Sequence, residues 1–457
     1  MSDPARPPET IADRLSRPFL QFFEIEVASA SVLFGMTVVA LVWANSPWSQ
    51  SYEDLWHHTE LGVSLGHWHF EMSLGHFVND ALMAIFFFAV GLEIKRELVM
   101  GELSTRQRAM LPVFGALGGM VVPALIYTGF HYGGPAIRGW GVPMATDIAF
   151  AVAAMSILGS RVPSGLKVFL LALAIADDLG AVAVIAIFYT ADLSLAYLGA
   201  SFGMLGLVWV VQKAGVRAFS IYWVLGAVAW YFMVKSGVHA TVAGVFLGFL
   251  TPTRPRDPRT ESVLERGRHF FDDLLDGLRG EDSHGHRRHV AARRLQQVSL
   301  DALSPLDYLV HGLDRWVAFL IMPVFALSNA GVHLDASTLA DPMTQRVGVG
   351  VALGLLIGKP IGITLFSWLA VRSGVAILPR GVNWGALAAT GLLAGIGFTV
   401  ALFITSLAFT DPGQIAGAKL GILSGSALAT VLGLLVLQRS LPKAPHVDPE
   451  MSGSDSS

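Results

Sequence analysis

Asp177 and Asp178 stand side by side in the middle of "FLLALAIADDLGAVAVIAIFY", residues 169–189, where the other residues suit a lipid interior. An ionisable side chain at mid-bilayer costs roughly 2.5–3.5 kcal/mol on insertion scales, and such groups mark ion paths and proton relays. Four further charges lie in apolar runs: Asp80 in "HFVNDALMAIFFF", Glu93 in "VGLEIKREL", Asp147 in "GVPMATDIAFAVA" and Lys359 in "LLIGKPIGITLF". Salt bridges that only join helices explain the set poorly, because one lysine cannot neutralise Asp147, Asp177 and Asp178 together. Neighbours on a helix diverge by about 100°, so Asp177 and Asp178 cannot address one target. One of them can face the Lys359 ammonium while the other faces a water-lined cavity, where carboxylate oxygens bind a hard cation. Such a site holds a proton or a sodium ion but hardly both. Competition for one site is the simplest machinery of exchange.

The elements that position these charges are membrane spans. Of the 457 residues, 53% are hydrophobic and only 14% are charged, against about a quarter charged in a soluble chain. The fold class is therefore an all-α polytopic membrane protein. Apolar runs place twelve transmembrane helices near 20–44, 78–100, 109–130, 140–159, 166–190, 194–212, 218–234, 239–250, 308–332, 344–371, 383–409 and 414–437. Each reaches the ~17 residues that a crossing needs except 239–250, which reads as short or re-entrant. The charges support counting it. With twelve spans and both termini cytoplasmic, 26 of the 31 basic residues fall inside and four outside, as the positive-inside rule requires. Two spans carry helix breakers at mid-depth: Pro143 ahead of "MATDIAF", and Gly391, Gly395 and Gly397 in "ATGLLAGIGFTVALF". Discontinuous helices in corresponding positions of two repeats point to a transporter site. Their facing ends place partial charges in the membrane, so Asp147 is suited to the N-terminal ends and Lys359 to the C-terminal ends.

Outside the spans, residues 1–19 form a polar N-terminal segment that is read as retained and cytoplasmic. The outer loop 46–77 holds no Lys or Arg, and "TELGVSLGHWHFEMSL" reads as a β-hairpin turning near Gly66. The inner loop 252–303 mixes ten arginines with nine acids. It reads as solvated, with a short helix around "SVLERGRHFFDDLLDGL"; "SHGHRRH" within it is read as solvated charge and not as a metal site. The tail 439–457 reads as disordered. The near-neutral balance of 31 basic and 34 acidic residues gives no sign of nucleic-acid binding, and the absence of cysteine excludes disulfides and thiolate metal sites.

Taken together, "VGLEIKREL", "ATDIAF", "LALAIADDLGAV", "KSGVHATVAGV", "IGKPIG" and "GIGFTVALFITSLAF" resemble the motifs of the NhaA-type sodium/proton antiporters over residues 20–250 and 305–438. The resemblance implies a twelve-helix domain over 20–438, with an inverted repeat relating helices 3–5 to 10–12 and two broken helices crossing at mid-membrane. It implies that Asp178 is the principal carboxylate for Na+ or Li+, that Asp177 is its partner and the mate of Lys359, and that Asp147 with Thr146 sits at the crossing. Asp178 and Asp177 would then be the ligands of the transported metal ion, with no resident cofactor. It further implies a homodimer joined through the outer hairpin, a bacterial inner-membrane location, and pH gating at an inner funnel by Glu93, Lys95, Arg96 and Glu97. His311 in "LDYLVHGLDRW" is the counterpart there of a larger acid/histidine cluster, and Asp80 is grouped with these funnel charges. His239 matches the family as well, with its role open.

Three other classes compete. An intramembrane aspartyl protease needs two aspartates from different helices sharing a water, whereas Asp177 and Asp178 are adjacent and diverge. A proton-channel subunit of a respiratory complex requires partner subunits. Another sodium-coupled transporter is the nearest alternative, distinguished by the absence of an organic-substrate signal. If cation entry also discharges a second proton from the Asp177–Lys359 pair, the exchange carries net charge.

Overall fold

Helices form wherever the apolar runs reach membrane length, and their breaks fall where proline or glycine interrupts them. The computed structural model describes residues 11–65, 68–190, 192–216, 219–253, 304–333 and 340–441, with a few single positions besides. In chain order it contains α1 (Ile11–Ala44), a hairpin of β1 (Glu60–Leu65) and β2 (Trp68–Ser73), α2 (Leu74–Val99) and α3 (Arg106–His131). A 3-10 helix (Pro135–Met144) and α4 (Ile148–Ser156) follow, then α5 (Ser164–Phe188), α6 (Leu195–Lys213), α7 (Phe219–Lys235) and α8 (Thr241–Leu250). The last part holds α9 (Pro305–Asn329), α10 (Pro342–Arg372), α11 (Trp384–Ala394), α12 (Phe398–Ala408) and α13 (Pro412–Ser440).

Among the described residues, eight helices are long and apolar enough to cross a membrane, and α11 with α12, bent by 48°, makes a ninth span if counted as one. The other three expected spans fall short for local reasons. The fourth is divided into the 3-10 helix and α4 by the extended stretch Ala145–Asp147. The seventh and eighth are the shorter apolar helices Ser220–Lys235 and Thr241–Leu250, separated by a turn at Gly237, whose φ of 82° suits glycine. The first helix begins at Ile11 and not near residue 20. Ala, Leu and Arg are good helix formers, and they carry the backbone helix ahead of the apolar run. The short helix and the "SHGHRRH" stretch expected within 252–303 lie almost wholly outside the described residues, as does the tail beyond 441.

The chain divides into two compact units, one of residues 1–48, 105–181 and 329–457 and the other of residues 49–104 and 182–328. In the first, α3 lies along α10 so closely that glycine is required at the crossing. A Cβ added at Gly118 would stand 2.1 Å from the Gly362 carbonyl oxygen, and one at Gly362 would stand 2.0 Å from that of Gly118. Small residues let membrane helices approach in this way, where apolar burial alone gives little drive. The first half of α10 and all of α11 pack on α13, burying Val347, Leu387, Leu393 and Ile422. In the second unit, α2 packs on α8 and α6 on α7. Leu92 of α2 meets Leu306 and Val310 of α9 in a buried cluster. The hairpin pairs antiparallel, with Glu60 opposite Ser73 and Leu65 opposite Trp68, as the alternating sequence requires.

Candidate functional site

Lys359 follows a π-helical stretch, Gly354–Gly358, in α10, with the Lys359 N–H donating to the Gly354 carbonyl. Pro360 has no N–H and its ring would crowd the carbonyl four residues back in a regular α-helix; the wider π turn relieves that contact. Such turns recur at functional sites. The Lys359 side chain is 1% exposed. Its Nζ donates to Asp177 Oδ2 at 2.6 Å and to Thr146 Oγ1 at 2.7 Å. Asp178, the next residue on α5, is also buried. Asp177 Oδ1 is buried and has no hydrogen-bond partner among the described residues.

The two backbone breaks meet. At the first, Thr146 Oγ1 donates to the Ala394 carbonyl at 2.9 Å, at the C-terminal end of α11. Asp147 N donates to the Ile396 carbonyl at 2.6 Å, inside the second break. Asp147 is the N-cap of α4, its Oδ1 accepting from Phe150 N at 3.2 Å. Its Oδ2 accepts from Thr399 N at 3.2 Å and from Thr399 Oγ1 at 2.5 Å, in the first turn of α12. One carboxylate thus faces the positive ends of two helix dipoles, as the sequence suggested. The expectation for Lys359 is met only indirectly. It reaches the C-terminal end of α11 through the Thr146 hydroxyl, with no direct bond to a carbonyl there.

This arrangement pairs one buried ammonium with the first of two adjacent buried carboxylates, and a third carboxylate is held by helix ends. A family model described as Na+/H+ antiporter 1 matches residues 20–437 of the chain. The chain belongs to that family. The Na(+)/H(+) antiporter NhaA of Rhodopirellula baltica is 48% identical over 432 residues, covering 94% of this chain and 96% of its own length. The Na(+)/H(+) antiporter NhaA 2 of Syntrophotalea carbinolica is 44% identical over 437 residues, with 94% and 98% covered. A solved structure of the sodium proton antiporter MjNhaP1 from Methanocaldococcus jannaschii aligns over 93% of this chain and 99% of its own, with a TM-score of 0.49 and 12% identity.

Among the residues that the resemblance to this antiporter family assigned to the funnel, two reach across to neighbouring elements of the second unit. Lys95 Nζ donates to the Phe249 carbonyl at 2.6 Å and to the Thr251 carbonyl, at the C-terminal end of α8. Arg96 Nε lies 3.8 Å from Asp307 Oδ1 on α9, both partly exposed. Glu97 Oε2 accepts from Glu102 N at 2.9 Å. Glu93 shares α2 with them, and His311 lies one turn beyond Asp307 on α9. Asp80 does not join the group. It lies thirteen residues before Glu93 on α2, or about 20 Å at 1.5 Å per residue, and its backbone carbonyl accepts from Trp230 Nε1 at 3.0 Å.

Thr399 was not singled out by sequence reasoning, although it fastens Asp147 to α12. The signal was available: a hydroxyl residue two places after Gly397 in "GIGFTVALF", at the start of a helix. Ser426 of α13, which accepts from Gly397 N at 3.2 Å, carries no such signal.

Proposed function

We propose that the chain is a secondary active transporter that expels cytoplasmic Na+ or Li+ in exchange for external protons. Membership of the Na+/H+ antiporter 1 family supports this reading. The observation that carries it is the sealed Lys359–Asp177 pair, 2.6 Å long, on a helix whose next residue is a second buried carboxylate. One ammonium carries one charge, and the two aspartates carry two. Asp178 takes the cation or a proton in turn. Carboxylate oxygens are the ligands that hard cations favour, and cation entry breaks the Asp177–Lys359 pair. Asp147 and Thr146 keep the crossing of the broken helices in register. Release of a second proton from the Lys359–Asp177 pair makes each cycle move more protons than sodium ions.

In this reading the chain crosses the bacterial inner membrane twelve times, with both termini cytoplasmic. The 3-10 helix with α4, and then α7 and α8, complete the count beside the longer helices. Helices α3 to α5 and α10 to α13 form the inverted repeats. The β1–β2 hairpin lies in the periplasm and joins two copies as a homodimer. Glu93, Lys95, Arg96, Glu97 and His311 set the pH response at the cytoplasmic end, and exchange falls as acid protonates the carboxylates that sodium must occupy.

The experiment is exchange in proteoliposomes with potassium and valinomycin setting the potential. Net charge transfer couples to the potential at about 2.3 kcal/mol per elementary charge per 100 mV. An inside-negative potential is therefore expected to drive sodium out without a pH gradient. Rates indifferent to the potential would mean one-for-one exchange, and sodium addition that moves no protons would end the antiport reading.

A further inference from the structure

Glycine recurs at every fourth residue of α10, the helix that carries Lys359: Gly350, Gly354, Gly358 and Gly362. All four stand against α3. An added Cβ would lie 3.2 Å from Tyr127 Cδ2 at Gly350, 3.5 Å from the Pro123 carbonyl oxygen at Gly354, 2.7 Å from Pro123 Cα at Gly358 and 2.0 Å from the Gly118 carbonyl oxygen at Gly362. An α-helix turns about 100° per residue, so a four-residue step overshoots a full circle by about 40°. Three such steps would carry Gly362 about 120° from the face of Gly350. The π turn at Gly354–Gly358 takes up one extra residue, or about 100°, and so returns the last glycine to α3.

The same extra residue decides where Lys359 points. The Lys359 N–H donates to the Gly354 carbonyl, five residues back, and Pro360 has no N–H, so the helix offers the buried Leu355 carbonyl no donor. In a regular α-helix that donor would be Lys359, and its side chain would share the face of Leu355, four residues earlier. That face meets the end of α11. A Cβ at Gly395 would stand 2.5 Å from the Leu355 carbonyl oxygen, and one at Gly391 would stand 2.9 Å from Pro360 Cα. The C-terminal carbonyls of α11 carry the negative end of its dipole, and the Ala394 carbonyl among them accepts from Thr146. The π turn rotates Lys359 about 100° from that face, onto Asp177 of α5.

One residue step therefore separates two acceptors for Lys359, a carboxylate and a helix C-terminus. Moving between them shifts the Lys359 N–H from the Gly354 carbonyl to that of Leu355 and passes the extra residue into the next turn. Pro360 has no N–H bond to give up as it passes, and the contacts at Gly350 and Gly362 lie outside the moving stretch. Helix register shifts run on the μs–ms scale. We propose that the π turn is a movable joint on which Lys359 leaves Asp177 for the C-terminal end of α11 when a cation enters, without displacement of α3. The joint rests on the antiport reading, in which cation entry breaks the Asp177–Lys359 pair, and it gives the freed side chain its second position.

The test is removal of the extra residue by deleting Ile357, an exposed position. The four glycines then share one face of a regular α-helix, Lys359 stays in register with Gly362 and on Asp177, and no residue is left to pass along. The deletion variant is expected to melt near or above the parent chain. Its sodium-driven exchange in proteoliposomes is expected to fall at least tenfold. Deuterium uptake by the amides of residues 355–361 is a second readout, one that a purely structural role of the turn would leave unmoved. Sodium is expected to raise that uptake at least twofold in the parent, where the pair no longer holds the joint, and to leave residues 344–352 unchanged. It is expected to have no effect on residues 355–361 in the deletion variant. A folded deletion variant that exchanges within twofold of the parent would overturn the joint. Where the deletion prevents folding, the parent decides alone, and uptake across 355–361 that sodium leaves unchanged would equally overturn it. A parent chain that moves no protons on sodium addition ends the antiport reading and the role of the joint with it.

Discussion

Lys359 Nζ stands 2.6 Å from Asp177 Oδ2, with the two side chains 1% and 3% exposed. Desolvating two charges is costly, and a pair this deep need not stabilise the fold relative to apolar residues. Removing one partner, however, leaves an uncompensated buried charge, at about 3–5 kcal/mol. Lys359→Ala is therefore expected to lower the melting temperature markedly. Adding Asp177→Asn should recover part of the loss, because the stranded carboxylate is gone. The double-mutant cycle measures this coupling, and strictly additive losses would argue that the pair is energetically idle.

Asp178→Asn is expected to abolish exchange while leaving the melting temperature close to that of the parent chain. An amide keeps the shape of the carboxyl group but cannot trade a proton for a cation. Sodium-driven proton movement near the parental rate in proteoliposomes would remove Asp178 from the site.

Thr399 offers a separate test of the contact between the two backbone breaks. Its hydroxyl donates to Asp147 Oδ2 at 2.5 Å. Thr399→Val keeps the volume and leaves that oxygen short of a donor, so a loss of about 1–2 kcal/mol is expected. Thr399→Ser should cost much less. Thermal unfolding in detergent compares the two, and equal losses would point to packing and not to the hydrogen bond.

The contact between α3 and α10 has a built-in control. Gly118→Ala would bring a Cβ to 2.1 Å from the Gly362 carbonyl, whereas the same change at Gly129 on the same helix meets nothing within 4 Å. Overpacking typically costs about 1–3 kcal/mol, and here it also displaces the helix that carries Lys359. Gly118→Ala should lower both stability and exchange rate, while Gly129→Ala should leave both within the usual surface range of about 0.5 kcal/mol. Similar behaviour of the two variants would mean that the helices separate without consequence.

The sequence by itself determined which residues could be functional, because the penalty for charge in lipid acts residue by residue. Asp147, Asp177, Asp178 and Lys359 were legible from their apolar surroundings alone, and the resemblance of their motifs named the family. The long spans were legible for the same reason, and so was the hairpin, since alternation has only one regular reading. Tertiary structure decided the partners. Which aspartate meets Lys359 depends on where α5 and α10 are held, and a contact between residues 182 positions apart leaves no local pattern. The link from Thr146 to Ala394 and the bond from Thr399 to Asp147 arise because two interrupted segments satisfy each other's exposed polar groups. Only after both breaks are placed together do those groups have anything to bond.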